Sequence, residues 1–180
     1  MIPALGTPAA DARLQLLQQF GLDQFDPQLD AMATELAAEA GTPYAMVNAF
    51  DPATGRQKFV GLSAPPGNGL PQVERSMSPD WGYCPEVARR TNALILPDVY
   101  AKPRFAVDPV VDQLGIRTYA GAPLIYERPD GSGSDVFGTV CFVGLEAKAQ
   151  STGQASLALI KQYRDRVLQI AYDRAGLRLP

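Results

Sequence analysis

The sequence predicts an α+β domain: a central, mostly antiparallel sheet of five or six strands, terminal helices on one face, and short helices and loops on the other. Three observations predict it. Amphipathic helical patterns occupy both ends of the chain, strand-like runs come in pairs joined by short turn segments, and 180 residues with 46% hydrophobic content suit one domain with a real core. We therefore assign residues 1–180 to a single domain, with a core over about 11–175.

The first helix is expected from about Pro8 to Phe20, stopped at Gly21. In the second, Asp26 is a good N-cap and Pro27 suits the first helical position, while Leu29, Met32, Ala33, Leu36, Ala37 and Ala40 recur at helical spacing until Gly41. Tyr44–Asp51 and Arg56–Leu62 are expected to be strands joined by the hairpin loop Pro52–Gly55. Three prolines and two glycines make Ser63–Arg75 a long loop. Because proline is tolerated at the first helical position but not inside a helix, Pro85 predicts a helix over Pro85–Thr91 with Cys84 as its N-cap. Ala93–Val99 is a third strand, and Asp108-Pro109 opens a short helix that Gly115 closes. Arg117–Glu127 and Asp135–Leu145 are the last two strands, joined by a polar loop. Ser151 and Gln154 have capping-box spacing before a final helix that carries Leu157, Ile160, Tyr163, Val167, Ile170 and Ala171 and ends near Gly176.

Composition excludes several classes. A net charge of −3 argues against a protein whose main work is gripping phosphate backbones, so no nucleic-acid partner is expected. The absence of histidine removes the Ser-His-Asp triad, His-ligated zinc and the proximal-His haem site. Cys84 and Cys141 are too few soft ligands for a Cys-based zinc site, and no essential metal is expected. Gly67-Asn68-Gly69 has no Gly-Lys-Ser/Thr after it, so it is not a phosphate-binding P-loop. The longest apolar stretch, Val136–Leu145, falls far short of a spanning helix, and Met1–Ala10 carries no basic residue or sustained apolar run. A cytoplasmic protein with two free thiols is the expectation.

The segments SMSPDWGYCPEVARR (76–90), LILPDVYAKPRFAVDPVV (94–111), GIRTYAGAPL (115–124) and FGTVCFVG (137–144) follow one another in an order that resembles a GAF domain of the bacterial signalling type. The matching features are a Cys at the head of a helix, Asp98 at a strand end, the Pro103-Arg104-Phe105 turn and Pro109, followed by Ile116-Arg117, Tyr119-Ala120-Gly121, Pro123-Leu124, Gly138 and Cys141. The leading helix matches too, with its Arg13-Leu14 start and Gly21-Leu22-Asp23 exit. The resemblance implies a GAF/PAS-like fold with a small-molecule pocket, and a sensory or regulatory role. Three departures narrow it. Glu146 comes late where an acidic residue often follows the last strand. Cys84 is followed by Pro85 where bilin-carrying relatives have Cys-His. The cysteines that the free methionine-sulfoxide reductases of this fold cluster around the mid-chain loop are represented by Cys84 alone, with Cys141 far along the chain.

The candidate ligand-binding residues are Met77, Trp81, Tyr83, Cys84, Asp98, Arg104, Phe105, Tyr119, Thr139 and Cys141; no catalytic residue is assigned. Each also has a structural reading. A thiol at a helix N-terminus has its thiolate favoured by free N–H groups, yet cysteine is also a common small core residue. Cys141, between Val140 and Phe142, suits plain core packing. The aromatics would wall a pocket or simply fill the core. Arg104 would hold an anionic ligand group or tie its loop to Asp98, beside Lys102. The expected function is a sensory domain that binds a small molecule of unknown identity and signals through a homodimer of terminal helices or a partner protein, with no membrane partner. Two alternatives stand: a thiol-dependent redox enzyme of the free methionine-sulfoxide reductase type, which needs two communicating cysteines or one with an external reductant, and a ligand-free dimerisation module.

Overall fold

The computed structural model describes every residue except Met1, Leu5 and Asn68, so parts of the N-terminal stretch and of the Gly67-Asn68-Gly69 tripeptide lie outside the described residues. Two helices open the chain, α1 (Pro8–Gln19) and α2 (Pro27–Ala40). Asp26 caps α2 as its carboxylate accepts from Gln28 N–H, and Gly41 ends it at φ 63°, a left-handed conformation that glycine adopts without a Cβ clash. The hairpin β1 (Tyr44–Asp51) and β2 (Arg56–Leu62) follows, with the boundaries expected from the sequence.

The middle of the chain is where structure and expectation part. A two-residue strand, β3 (Ser76–Met77), pairs with β2 at the sheet edge; it is too short to leave a periodic signal. Helix α3 (Cys84–Arg90) begins one residue earlier than expected, so Tyr83 is the N-cap, Cys84 the first helical residue and Pro85 the second. Proline costs nothing there because none of the first four helical N–H groups has an intrahelical acceptor. Strand β4 shrinks to Leu94–Leu96, because Asp98 accepts from Tyr100 N–H and turns the chain into a 3₁₀ segment. Two short helices follow, α4 (Pro103–Ala106) and α5 (Pro109–Leu114), the second capped by Asp108 and closed by Gly115.

Strands β5 (Thr118–Glu127) and β6 (Ser134–Gly144) form the longest pair, and α6 (Gly153–Ala175) completes the chain. Ser151 does not cap α6. It lies in a 3₁₀ turn, Gln150–Thr152, whose Thr152 hydroxyl donates back to Ala149 O. Thr152 therefore takes the N-cap position with no side-chain bond to the helix.

The six strands lie in the order β3-β2-β1-β6-β5-β4, antiparallel throughout. Strand alternation splits the core into two layers. Ala45, Val47, Ala49, Ala120, Ala122, Val140 and Phe142 face α1, α2 and α6, where Phe20 packs against Phe137 and Tyr172. Tyr44, Met46, Phe50, Tyr119, Cys141 and Val143 face the other way, toward α3, α4 and α5. The expected layering of terminal helices on one face and short elements on the other is what is found. On α6 the inner face is Ile160, Tyr163, Val167, Ala171 and Tyr172, all buried, while Leu157, Leu159, Leu168 and Ile170 are half-buried at its margins. Among the described residues, no helix is long and apolar enough to cross a membrane.

Candidate functional site

The layer between the sheet and α3–α5 holds a cavity of about 40 Å³. Its floor is Met46 of β1, Gln57 and Phe59 of β2, Tyr119 of β5, and Cys141 and Val143 of β6. Its roof is the stretch from Met77 through Trp81 to Cys84, with Val110 and Leu114 of α5. At roughly 10–15 Å³ per water-sized position, this is room for a few non-hydrogen atoms. Its lining is almost wholly apolar, and no Lys, Arg, Asp or Glu contributes to it.

A buried polar cluster ties the roof to the sheet. Gln57, 1% exposed, donates through Nε2 to Ser78 O at 2.7 Å and Trp81 O at 2.8 Å, and accepts through Oε1 from Asn48 Nδ2 at 3.0 Å. Asn48 Nδ2 also lies 3.4 Å from Thr139 Oγ1, while the buried Asn48 Oδ1 has no hydrogen-bond partner among the described residues. A second tether fixes the start of α5. The Asp108 carboxylate caps that helix and accepts from Gly82 N–H at 3.0 Å. Tyr83 donates its hydroxyl to Phe105 O at 2.9 Å, and its ring meets those of Phe105 and Tyr119 edge-on at 5.6 and 5.1 Å.

Three sulfur atoms meet at the cavity wall. Cys84 Sγ, from the first residue of α3, lies 3.7 Å from Cys141 Sγ, in the middle of β6; both are free thiols. Cys141 Sγ is in turn 3.8 Å from Met46 Sδ, its cross-strand partner on β1. Cys84 Sγ also contacts the Tyr119 hydroxyl at 3.4 Å. Cys84 donates to Cys141 Sγ and Cys141 in turn to Met46 Sδ; the Cys84 thiol is held below its ordinary pKa chiefly by its bond with Cys141, against the opposing effect of burial, and Thr139, Tyr119 and Asn48 add to the lowering. Cys141 moves the other way, raised by its bond to Cys84 and by burial. Two thiolates this close in an apolar layer would repel, so the pair gives up one proton readily and the second with difficulty. Tyr119 is pushed up by burial and by the sulfurs beside it, which keeps it a neutral hydroxyl.

Of the ten candidate residues, Met77, Trp81, Tyr83, Cys84, Tyr119 and Cys141 line the cavity. Thr139 lies beneath it in the Asn48 cluster, and Phe105 stands behind Tyr83. Asp98 and Arg104 lie elsewhere and do not pair with each other. Asp98 pairs with Arg117 at 3.2 Å, because Arg117 immediately precedes β5, the strand beside β4; Arg104 is 3.5 Å from Glu86 and covers the Phe105 ring. Sequence reasoning missed Met46, Gln57, Phe59, Val110 and Leu114. Asn48 did carry a signal, since it interrupts an apolar strand buried along its whole length; Gln57, between Arg56 and Lys58, carried none.

The six-stranded antiparallel sheet with helices layered on both faces defines an α+β fold. The GAF domain family model matches residues 24–167, and the chain belongs to the GAF family. Among solved structures it resembles the GAF domain of an Acinetobacter phosphoenolpyruvate-protein phosphotransferase, at 15% identity and a TM-score of 0.60 over 94% of this chain and 95% of that one. The type II free methionine-R-sulfoxide reductase of Thermoplasma acidophilum is similar at 13% identity and a TM-score of 0.57, covering 86% of this chain and 96% of that one. The phycoerythrobilin-bound GAF domain of a cyanobacterial phytochrome is similar at 15% identity and a TM-score of 0.59, over 93% and 92%. At such identities these likenesses establish the fold. No curated protein matches the sequence.

Proposed function

We propose that this protein is a sensory GAF domain that binds a compact, largely apolar small molecule between the sheet and α3–α5. The observation that carries this reading is the apolar cavity lined by Met77, Trp81, Tyr83 and Tyr119, whose roof hangs on the Gln57 bonds to Ser78 and Trp81. A ligand larger than a few atoms enters by lifting that roof. It acts as a signal to the extent that it binds the lifted state more tightly than the closed one. The output passes through a second copy of the chain: Leu159, Leu168 and Ile170 of α6 are half-buried in the single chain, and pairing of terminal helices would complete their burial. The protein then works in the cytoplasm with no nucleic-acid or membrane partner.

The test is native mass spectrometry of freshly purified protein, followed by thermal-shift titration of small apolar compounds while Trp81 fluorescence is recorded. Trp81 is the sole tryptophan. A co-purifying mass, or a saturable shift accompanied by a Trp81 response, is expected. A panel that moves neither the melting temperature nor the fluorescence would leave the ligand-free dimerisation module in its place.

The 3.7 Å approach of Cys84 to Cys141 favours a second reading, a thiol-dependent reductase acting on a small sulfoxide. Turnover of free methionine sulfoxide with dithiothreitol, abolished in Cys84→Ser, would establish it.

A further inference from the structure

We propose that Cys84 and Cys141 form a peroxide-reactive dithiol, oxidised by hydrogen peroxide or a short alkyl hydroperoxide to a disulfide that joins α3 to β6 across the cavity wall. This rests on the sensory reading and names a reactive class of ligand for the same cavity. Four observations carry it.

The sulfurs are placed for it. They lie 3.7 Å apart in the reduced protein, and a disulfide needs about 2.05 Å, so the remaining approach is about 1.7 Å. Cys141 is fixed in the middle of a central strand, with neighbours on both sides. Cys84 is the partner that closes the gap. It sits at the head of a seven-residue helix, two residues after Gly82 at φ 74°, in a segment half-buried at Trp81 and Gly82.

The two thiols have unequal roles. The environment favours ionisation of Cys84 and opposes that of Cys141, which assigns the attacking thiolate to Cys84 and the resolving thiol to Cys141. The cavity beside them, about 40 Å³, accepts a molecule the size of hydrogen peroxide without moving the roof. Met77, Trp81, Val110 and Leu114 line both this cavity and an outer groove of about 350 Å³, and Met77, Trp81 and Leu114 are half-buried, so these side chains form its mouth.

The chemistry balances in two steps. The Cys84 thiolate attacks the terminal peroxide oxygen: an S–O bond forms, the O–O bond breaks, and the alkoxide or hydroxide leaves with the proton that Cys84 released. Cys141 sulfur then attacks the sulfenic sulfur: the S–S bond forms, the S–O bond breaks, and hydroxide departs as water with the Cys141 proton. The dithiol loses two electrons and two protons, and the hydroperoxide becomes an alcohol, or water, plus one further water. The disulfide draws the start of α3 onto β6 and takes up part of the cavity wall, so oxidation and reversible ligand binding exclude each other.

The experiment adds hydrogen peroxide stepwise to reduced full-length protein, followed by alkylation, intact mass and non-reducing peptide mapping. The expected result is loss of two hydrogens at one equivalent, a Cys84–Cys141 linked peptide, and full reversal by dithiothreitol. Cys141→Ser is expected to accumulate a dimedone-reactive sulfenic acid at Cys84. Cys84→Ser is expected to leave Cys141 reduced. Should either variant not fold, the Trp81 fluorescence change of the wild type, first order in peroxide and reversed by dithiothreitol, takes its place. Both thiols remaining alkylatable while Met46 or Met77 becomes sulfoxide would overturn the proposal, as would linkage only between chains. Ligand thermal shifts on the same reduced protein separate the two readings: if they persist while the thiols stay inert, only the dithiol proposal fails.

Discussion

Gly121→Ala tests whether the cavity is the space into which the fold yields. Gly121 lies on β5 opposite Cys141, and a Cβ there would overlap the Tyr119 side chain, meeting its hydroxyl and lying 2.6 Å from Cζ and 2.9 Å from Cε1. These atoms belong to the far end of a side chain, so the ring moves and the strand stays. Tyr119 is 2% exposed and packed against Tyr83, which leaves the adjoining cavity of about 40 Å³ as its way out. Overpacking of this kind costs about 1–3 kcal/mol, and loss of the Cys84–Tyr119 contact adds about 0.5–1.5 kcal/mol. Reduced freedom of the unfolded chain returns about 0.5–1 kcal/mol. The net is a loss of about 0.5–4 kcal/mol, which at about 2–4 °C per kcal/mol for a domain of this size lowers the melting temperature by about 1–16 °C. Thermal denaturation measures it, and the cavity should bind less ligand. Trimming the ring in Tyr119→Leu should remove most of the cost of Gly121→Ala, a coupling readable as a double-mutant cycle. Additive effects in that cycle, or an unchanged melting temperature with full binding, would refute the reasoning.

The other predictions follow from the same contacts. In the reduced protein, Cys84 should react with iodoacetamide before Cys141, and its reactivity should rise at a lower pH than that of a free thiol; equal labelling would contradict the unequal environments of the two sulfurs. Gln57→Leu removes both bonds to the roof and leaves Asn48 Nδ2 with Thr139 alone, so a loss of about 2–3 kcal/mol in denaturant titration and a freer Trp81 by fluorescence anisotropy are expected. Burial raises the pKa of Asp30, but the bonds from Arg75 and Leu62 N–H outweigh it and hold the carboxyl below its ordinary value. A depressed carboxyl stabilises the fold above its unfolded pKa of about 3.9 and loses that contribution as pH falls through the lower folded value, so Asp30→Asn should flatten the acid limb of the stability–pH curve.

Legibility along the chain followed the reach of the signals. Helix α2 was readable to the residue because Asp26, Pro27 and Gly41 act on their own backbone. The β1–β2 hairpin was readable because two strand-like runs and the turn between them are local signals. What failed were elements made by distant partners. Strand β3 exists because Gln57 and Lys58 of β2 offer it an edge. The pairing of Asp98 was misplaced because its partner, Arg117, lies across a strand junction, whereas Arg104 is nearer in sequence but turned toward Glu86. The start of α6 is a local exception: it moved past Ser151 because a 3₁₀ turn forms before it.

The site shows the same limit more sharply. Its aromatic wall was visible, since Trp81, Tyr83 and Tyr119 cluster around the loops between β3 and β5. Its sulfur chemistry was not, because Cys84 and Cys141 are 57 residues apart and nothing local to either marks the other. They meet because β6 crosses to the centre of the sheet between β1 and β5, which puts the middle of the last strand under the head of α3. In the sequence Cys84 stands alone at the mid-chain loop, with Cys141 far along the chain. Topology reverses that, and with it the weight given to redox chemistry: a thiol reading that needed two communicating cysteines has them in the described fold. Asn48 was the one clue available beforehand. A fully buried amide beside Thr139 on the central strands is costly unless it is bonded, and its unpartnered Oδ1 places the polar demand of the core directly below the dithiol.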